Sequence, residues 1–182
     1  MKRPRFSLSL LAGCGLLVLA GCNVIPPPTP DPTRYFVLTA PAAPAPAADT
    51  VRSSCRIGLR AIELAPYLRK GVLVVRQGDN EVVFDDFARW GEPLDAGIAR
   101  VLRERLLAEP HITRVLTAPF PLEENRDYDV SVVVRQCEGV RRREGSGVQL
   151  VAEIEIARVS RDTVPEVVVR RMFTLPETAW NG

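Results

Sequence analysis

From residue 34 onwards, short runs rich in β-branched and aromatic residues are separated by polar or proline-containing segments, a pattern that predicts β-strands. Alternation of apolar and polar residues is cleanest between residues 148 and 159, where one face carries Leu150, Ala152, Ile154 and Ile156 and the other carries Val151, Glu153 and Glu155. Further strands are predicted at 34–39, 55–64, 71–76, 81–87, 113–117, 129–137 and 166–175. The polar residues 77–80 lie between two of these strands and are typical of a hairpin turn.

One stretch with helical periodicity lies between the predicted strands. Apolar residues recur at helical spacing in Leu94, Ile98, Val101, Leu102 and Leu106. Pro93 suits the first position of a helix, and Pro110 would end it, so we predict a helix over about 93–108. One sheet with a single amphipathic helix on a face predicts an α+β fold with a mostly antiparallel or mixed sheet.

The first 21 residues have the features of an export signal. Lys2, Arg3 and Arg5 precede an apolar run that is too short for a membrane span. The run closes with Leu19-Ala20-Gly21-Cys22, which resembles the bacterial lipobox. We therefore expect a signal peptide over 1–21, cleavage before Cys22, and a diacylglycerol and an N-acyl lipid on that cysteine. An earlier copy ends at Cys14 but follows too short a run, and the alternative is a plain secretory signal with an incidental cysteine.

Proline dominates the segment that follows Cys22. Residues 22–33 contain five prolines, which favour an extended polyproline tether. At about 3.1 Å per residue the tether would hold a domain on the order of 30 Å from the lipid, although an unstructured leader is the alternative. Asn23 favours the outer over the inner membrane by the sorting rule of enteric lipoproteins. The domain is predicted over 34–182, with an Ala- and Pro-rich linker at 41–50.

Charge argues against nucleic acid as a partner. The formal net charge is +2, but without residues 1–21 the chain has 21 basic and 22 acidic residues. A protein that neutralises phosphates needs a basic face, and this balance does not indicate one.

The two cysteines outside the N-terminal segment are candidates for a disulfide. Export places Cys55 and Cys137 in an oxidising compartment, and each lies at one end of a predicted strand. If those strands are antiparallel neighbours, the two ends meet, so we expect a disulfide. The alternative is two buried free thiols. A Cys-x-x-Cys redox motif does not occur in the sequence.

Catalytic signals are weak. His111 is the one histidine, and no Gly-x-Ser-x-Gly motif accompanies it. The carboxylates of Asp85, Asp86 and Glu92 could bind a cation, but they are more typical of a solvated strand end and a helix start. We therefore expect neither an enzyme nor a metal site. Trp90 either covers the core or contributes to a partner interface, where tryptophan is enriched.

Several short motifs occur together behind the lipobox. They are Tyr35-Phe36-Val37-Leu38, Pro66-Tyr67-Leu68, Val74-Val75-Arg76 with Asn80-Glu81, and above all Arg89-Trp90-Gly91-Glu92-Pro93-Leu94. In this order, over residues 22–180, the sequence resembles the ABC-type transport auxiliary lipoproteins, the PqiC-like group. The family usually continues into a second, C-terminal amphipathic helix, which is missing here.

The resemblance implies a partner rather than a substrate. Family members accompany transporters made of an ATPase, a permease and an MCE-domain protein, and they are thought to bind the MCE component. Five residues in the shared motifs are candidate interface residues, although they could equally serve folding: Tyr67, Leu68, Trp90, Pro93 and Leu94. A homo-oligomer is also compatible with the resemblance.

The leading hypothesis is a non-catalytic accessory lipoprotein of an envelope lipid-transport system, facing the periplasm. One alternative is a direct carrier that encloses a lipid between sheet and helix. Another is a structural assembly factor for an outer-membrane protein.

Overall fold

Strands dominate the described part of the chain, which is residues 29–40, 54–142, 145–160 and 163–179 of a computed structural model. The strands there are β1 (Arg34–Phe36), β2 (Cys55–Leu59), β3 (Glu63–Leu64), β4 (Val72–Arg76), β5 (Val82–Trp90), β6 (Ile112–Thr117), β7 (Tyr128–Arg142), β8 (Gly145–Ser160) and β9 (Thr163–Ala179). The helix α1 spans Leu94–Ala108, and a 3-10 helix spans Pro66–Lys70. The predicted signal peptide, Cys22, most of the tether and the linker lie outside the described residues.

The long strand β7 organises one mixed sheet. Three strands pair with it in parallel, one after another along its length: β2 at Tyr128–Val130, β3 at Val133–Val134 and β4 at Gly139–Val140. The antiparallel partner β8 runs along nearly all of β7, and β9 pairs with β8. Beyond β4 come β5 and then β1, and β6 lies beside β2. Over the described ranges, one mixed sheet with one α-helix confirms the predicted α+β class.

The predicted hairpin and the predicted inward face are both present. β4 and β5 pair antiparallel around residues 77–81, where the N–H of Gln77 donates to the carbonyl of Glu81 at 3.0 Å. On β8, Ala152 belongs to the hydrophobic core and Leu150, Ile154 and Ile156 pack against it. The strands β7, β8 and β9 are longer than predicted, because cross-strand pairing continues into polar ends that carry no alternation.

The predicted strand at 55–64 is interrupted. β2 ends at Leu59, and β3 begins at Glu63, with the N–H of Arg60 still donating to the Val130 carbonyl at 2.9 Å. Both segments remain beside β7, at successive levels. The break therefore displaces the chain along β7 without removing it from the sheet.

Helix α1 covers the core with the face that its spacing predicts. Leu94 is buried, and Ile98, Leu102 and Leu106 pack against the core cluster. Pro93 is the N-cap residue, one position earlier than predicted, and the helix ends at Ala108 before Pro110. The most deeply buried side chains include Leu59, Leu68 and Val134. Full burial of such a side chain stabilises a fold by about 1.5–3 kcal/mol.

Candidate functional site

The short strand β1 attaches the N-terminal part of the domain to the sheet. It pairs in parallel with the end of β5, so that Tyr35 lies opposite Arg89 and Phe36 lies opposite Trp90. The N–H of Gly91 donates to the Phe36 carbonyl oxygen at 2.8 Å. The strand predicted at 34–39 is therefore present over Arg34–Phe36 and lies at an edge of the sheet. Proline precedes β1 at position 32, and a residue without an N–H cannot extend a strand ladder.

Arg100 of α1 fixes the chain just after β1. Its Nη2 atom donates to the Leu38 carbonyl at 2.7 Å and also to Glu92 Oε1. The hydrogen bond to Glu92 raises the pKa of Arg100 above its ordinary value, so the guanidinium keeps its charge. Position 97 must be small, because an added Cβ there would lie 3.0 Å from Glu92 Oε1. Glu92, Gly97 and Arg100 thus act together on the segment that continues from the tether.

An apolar cavity of about 270 Å³ lies between the β1 segment and the sheet. The lining residues come from the end of β1 with the two residues after it, and from β4, β5, β7 and β8: Phe36, Val37, Leu38, Leu73, Val74, Trp90, Cys137, Glu138, Gly139 and Val148. Burial raises the pKa of the Cys137 thiol to about 11, so the thiol is neutral and contributes an apolar wall. The Glu138 side chain has no solvent exposure and therefore does not place its carboxylate in this space.

Three large apolar side chains on β5 and on the β1 segment are exposed to solvent. Tyr35 is 65% exposed, Val37 is 55% exposed and Phe87 is 57% exposed. Tyr35 and Val37 both flank Gly91, whose added Cβ would lie 3.9 Å from Tyr35 Cβ and 3.1 Å from Val37 Cγ2. We call Tyr35, Val37 and Phe87 the β1–β5 patch. Exposed apolar groups gathered at one place are typical of docking surfaces.

The five predicted interface residues divide by burial. Leu68 is 2% exposed and Leu94 is 3% exposed, so both are core residues, and their prediction as interface residues is wrong. These two positions are apolar because the 3-10 helix and α1 pack on the sheet through them. Pro93 is exposed, whereas Trp90 is half-buried and lines the cavity. Tyr67 is half-buried, and its hydroxyl donates to the Arg135 carbonyl at 3.1 Å.

The two cysteines do not meet. β2 runs parallel to β7 with Ile57 opposite Tyr128, and Cys137 lies nine residues further along β7. At about 3.3 Å per residue this separation is on the order of 30 Å, far beyond the reach of a disulfide. Both are free thiols. The predicted disulfide is therefore wrong for this fold, because it assumed antiparallel neighbours.

Two of the three acidic residues considered for a cation, Asp85 and Glu92, have structural roles. Asp85 Oδ1 accepts from the N–H of Phe87 at 3.0 Å and stabilises an irregularity in β5, and Glu92 binds Arg100. Within the described ranges, no three His, Cys, Asp or Glu side chains are grouped as a metal site. The backbone carbonyl of His111 accepts from the N–H of Cys55 at 3.0 Å.

Two carboxylates are buried, although no pattern in the sequence indicates it. Asp129, 2% exposed, accepts from Arg126 at 2.7 Å and from Arg60 at 3.0 Å. Glu138, 3% exposed, accepts from Arg76 at 2.8 Å. In the sequence both appear as ordinary polar residues of a strand, and nothing there marks their arginine partners. Each carboxylate holds distant segments together, and neither lies in the β1–β5 patch.

The comparison with known families covers the domain almost completely. The model of the ABC-type transport auxiliary lipoprotein component matches residues 36–179. The chain belongs to this family. As a member, it is an auxiliary component of an ABC-type transport system and a lipoprotein of the cell envelope.

Solved structures share the fold of this auxiliary lipoprotein. A crystal structure of a Xanthomonas campestris protein of the DUF330 group is 18% identical, with a TM-score of 0.67; 82% of this chain and 80% of that chain are covered. A second crystal structure, of an uncharacterized protein, is also 18% identical, with a TM-score of 0.60 and 82% of each chain covered. No curated protein matches the sequence significantly.

Two of the motifs that carry the family resemblance contact each other. The segment Tyr35–Leu38 lies against Arg89–Glu92, through the β1–β5 pairing and the Gly91 and Arg100 hydrogen bonds. Much of the shared pattern is therefore explained by attachment of the N-terminal segment to the domain. Among the described residues, no helix is long and apolar enough to cross a membrane.

Proposed function

We propose that this auxiliary lipoprotein is a non-catalytic docking subunit that binds the MCE-domain component of its transport system in the periplasm. Acyl chains on Cys22 would hold it to the membrane, with the outer membrane favoured by Asn23. Several acyl chains make such an anchor durable, whereas a single chain holds a protein only marginally. The tether would then place the domain away from the lipid surface, within reach of a partner that spans the periplasm.

The observation that carries this proposal is the position of the β1–β5 patch. Tyr35 lies on β1, which follows the tether in the sequence, Val37 comes directly after β1, and Phe87 lies on the neighbouring strand β5. Aromatic side chains are enriched at the energetic centres of protein interfaces. The attachment through Gly91 and Arg100 keeps these side chains in a fixed arrangement, which lowers the entropic cost of binding.

The apolar cavity does not favour the alternative of a direct lipid carrier. Small-molecule sites usually enclose about 300–1,000 Å³. The cavity beside Trp90 has about 270 Å³ and is lined in part by residues Phe36–Leu38 of the chain itself. A whole diacyl lipid needs more space than this cavity offers.

Affinity capture from solubilised envelopes tests the proposal. We expect the tagged full-length lipoprotein to retain an MCE-domain protein, and the variant Tyr35→Ala/Val37→Ala/Phe87→Ala to retain at least about tenfold less, as loss of about 1.4 kcal/mol would produce. Leu122→Ala is the matched control, because Leu122 is 100% exposed at a different site. Capture of an outer-membrane protein instead of an MCE protein would support the assembly-factor alternative and contradict the proposal.

A further inference from the structure

Strand β9 has an open edge and exposed side chains. Among the described residues, β9 pairs with β8 and with no other strand. Val169 is 36% exposed, Met172 is 58% exposed and Phe173 is 46% exposed. Adjacent residues of a strand point to opposite faces, so Met172 and Phe173 show that both faces of β9 are open. An edge with unpaired backbone groups is a template for another strand.

Only part of this edge is regular. Pro165 lacks an N–H, and the register with β8 shifts between the pairs of Val167 and Val169, which interrupts the first part of the strand. From Val169 opposite Ile156 to Leu175 opposite Leu150, the register is continuous. It shifts again before Thr178. The usable edge is therefore residues 169–175, whose central residue is Met172.

We infer that two copies of this chain pair antiparallel through residues 169–175 of β9, about a twofold axis at Met172. An isologous contact of this kind needs a self-complementary strand. With the axis at Met172, each Val169 faces Leu175 of the other copy, each Arg171 faces Phe173, and Met172 faces itself. These are apolar pairs and cation–aromatic pairs, both of which stabilise neighbouring strands.

Charge selects this register over its neighbours. An axis at Arg170 or Arg171 would set two arginines directly opposite each other, which destabilises a strand pair. An axis beyond Met172 would bring Pro176 into the ladder and shorten the regular segment. Arg170 is already neutralised within its own chain, because its Nη2 atom donates to Glu155 Oε2 at 2.6 Å. The axis at Met172 includes all of the regular edge and sets no two like charges directly opposite each other.

Disulfide trapping in the full-length acylated protein tests this contact. Directly opposed residues of an antiparallel pair have Cα atoms about 4.5–5.5 Å apart, within the range of a disulfide. In a background of Cys55→Ser and Cys137→Ala, reconstituted in phosphatidylglycerol–phosphatidylethanolamine vesicles, Met172→Cys should form an oxidised dimer at least about tenfold faster than Val164→Cys, because pairing fixes the two thiols at high effective concentration. Val164 is the matched control, since it is on the same strand and 88% exposed.

Two further cross-linking measurements test the register of the contact and the contribution of Cys22. Val169→Cys and Leu175→Cys should cross-link when the two variants are mixed, and far more slowly when each is alone. The background protein without an added cysteine should not cross-link; if it does, the sulfur of Cys22 is not acylated, which is a failure of the proposed anchor and not of the β9 contact. Equal dimer formation by Met172→Cys and Val164→Cys would overturn the inference.

Discussion

Arg100 on α1 holds the Leu38 carbonyl oxygen at 2.7 Å, although 62 residues separate them in the sequence. The same guanidinium binds Glu92, at the junction of β5 and α1. One side chain therefore connects the segment that follows the tether to the start of the helix. This contact therefore holds the residues that follow β1 against the start of α1.

The first prediction concerns this clamp. Arg100→Met should loosen the β1 segment and increase hydrogen exchange of the Gly91 amide by roughly threefold to tenfold, the range expected when one net hydrogen bond is lost. Amide exchange read by mass spectrometry or NMR measures this directly. The matched control is Arg103→Met, three residues further on the same helix and exposed. Unchanged exchange at Gly91 in Arg100→Met would show that Arg100 does not hold the segment.

A glycine in β2 supports the buried carboxylate Asp129. An added Cβ at Gly58 would lie inside contact distance of Asp129 Oδ1 and of the Arg126 side chain. We predict that Gly58→Ala lowers the free energy of unfolding by about 1–3 kcal/mol, the usual cost of overpacking. Gly78→Ala is the control, because nothing lies within 4 Å of a Cβ there. Urea denaturation gives both values, and equal stability of the two variants would contradict the packing argument.

The pair of Arg56 and Asp127 predicts an acid-dependent loss of stability. The Arg56 side-chain hydrogen bond lowers the pKa of Asp127 below its ordinary value. A lowered folded-state pKa stabilises the fold above the unfolded pKa of about 3.9, and this contribution is lost as the pH falls towards the folded pKa.

The variant Asp127→Asn isolates this contribution. It should be less stable than the parent at pH 6, by less than about 1 kcal/mol because the pair is partly exposed, and the difference should shrink below pH 4. Denaturation curves at both pH values measure the difference. A difference that is independent of pH would mean that the ionised carboxylate is not what stabilises the fold.

The cysteines are predicted to be free but unequally reactive. Burial raises the pKa of both thiols, and that of Cys137 to about 11. Cys55 is less buried, so maleimide at pH 7.5 should label Cys55 first, and Cys137 only after unfolding. Peptide mapping by mass spectrometry of the acylated protein measures this order. Recovery of a Cys55–Cys137 disulfide from unreduced protein would contradict the parallel pairing of β2 and β7.

Local pattern was sufficient to predict much of the fold. Helical spacing predicted α1, the polar residues 77–80 predicted the β4–β5 hairpin, and alternation predicted the inner face of β8. These features depend on residues close together in the sequence, where periodicity reports directly on burial. The strands β7, β8 and β9 are longer than the pattern predicts, because pairing with a neighbouring strand can extend a strand through polar residues.

Long-range arrangement could not be predicted in the same way. The direction of β2 relative to β7 depends on a crossover connection, and no local pattern records it; the expected disulfide was wrong for this reason. Asp129 and Glu138 looked like exposed strand residues because their arginine partners are distant in the sequence. The motifs at 35–38 and 89–94 both belong to the family resemblance, but only the structure shows that they contact each other.

Site-specific photo-cross-linking in intact envelopes tests the central claim most directly. A benzophenone amino acid at position 35, compared with position 122, reports which protein lies against each exposed site in cells that contain the complete transport system. Docking through the β1–β5 patch predicts a cross-link from position 35 to the MCE-domain subunit and none from position 122. A cross-link from position 122 alone, or none to that subunit from position 35, would contradict docking through the β1–β5 patch.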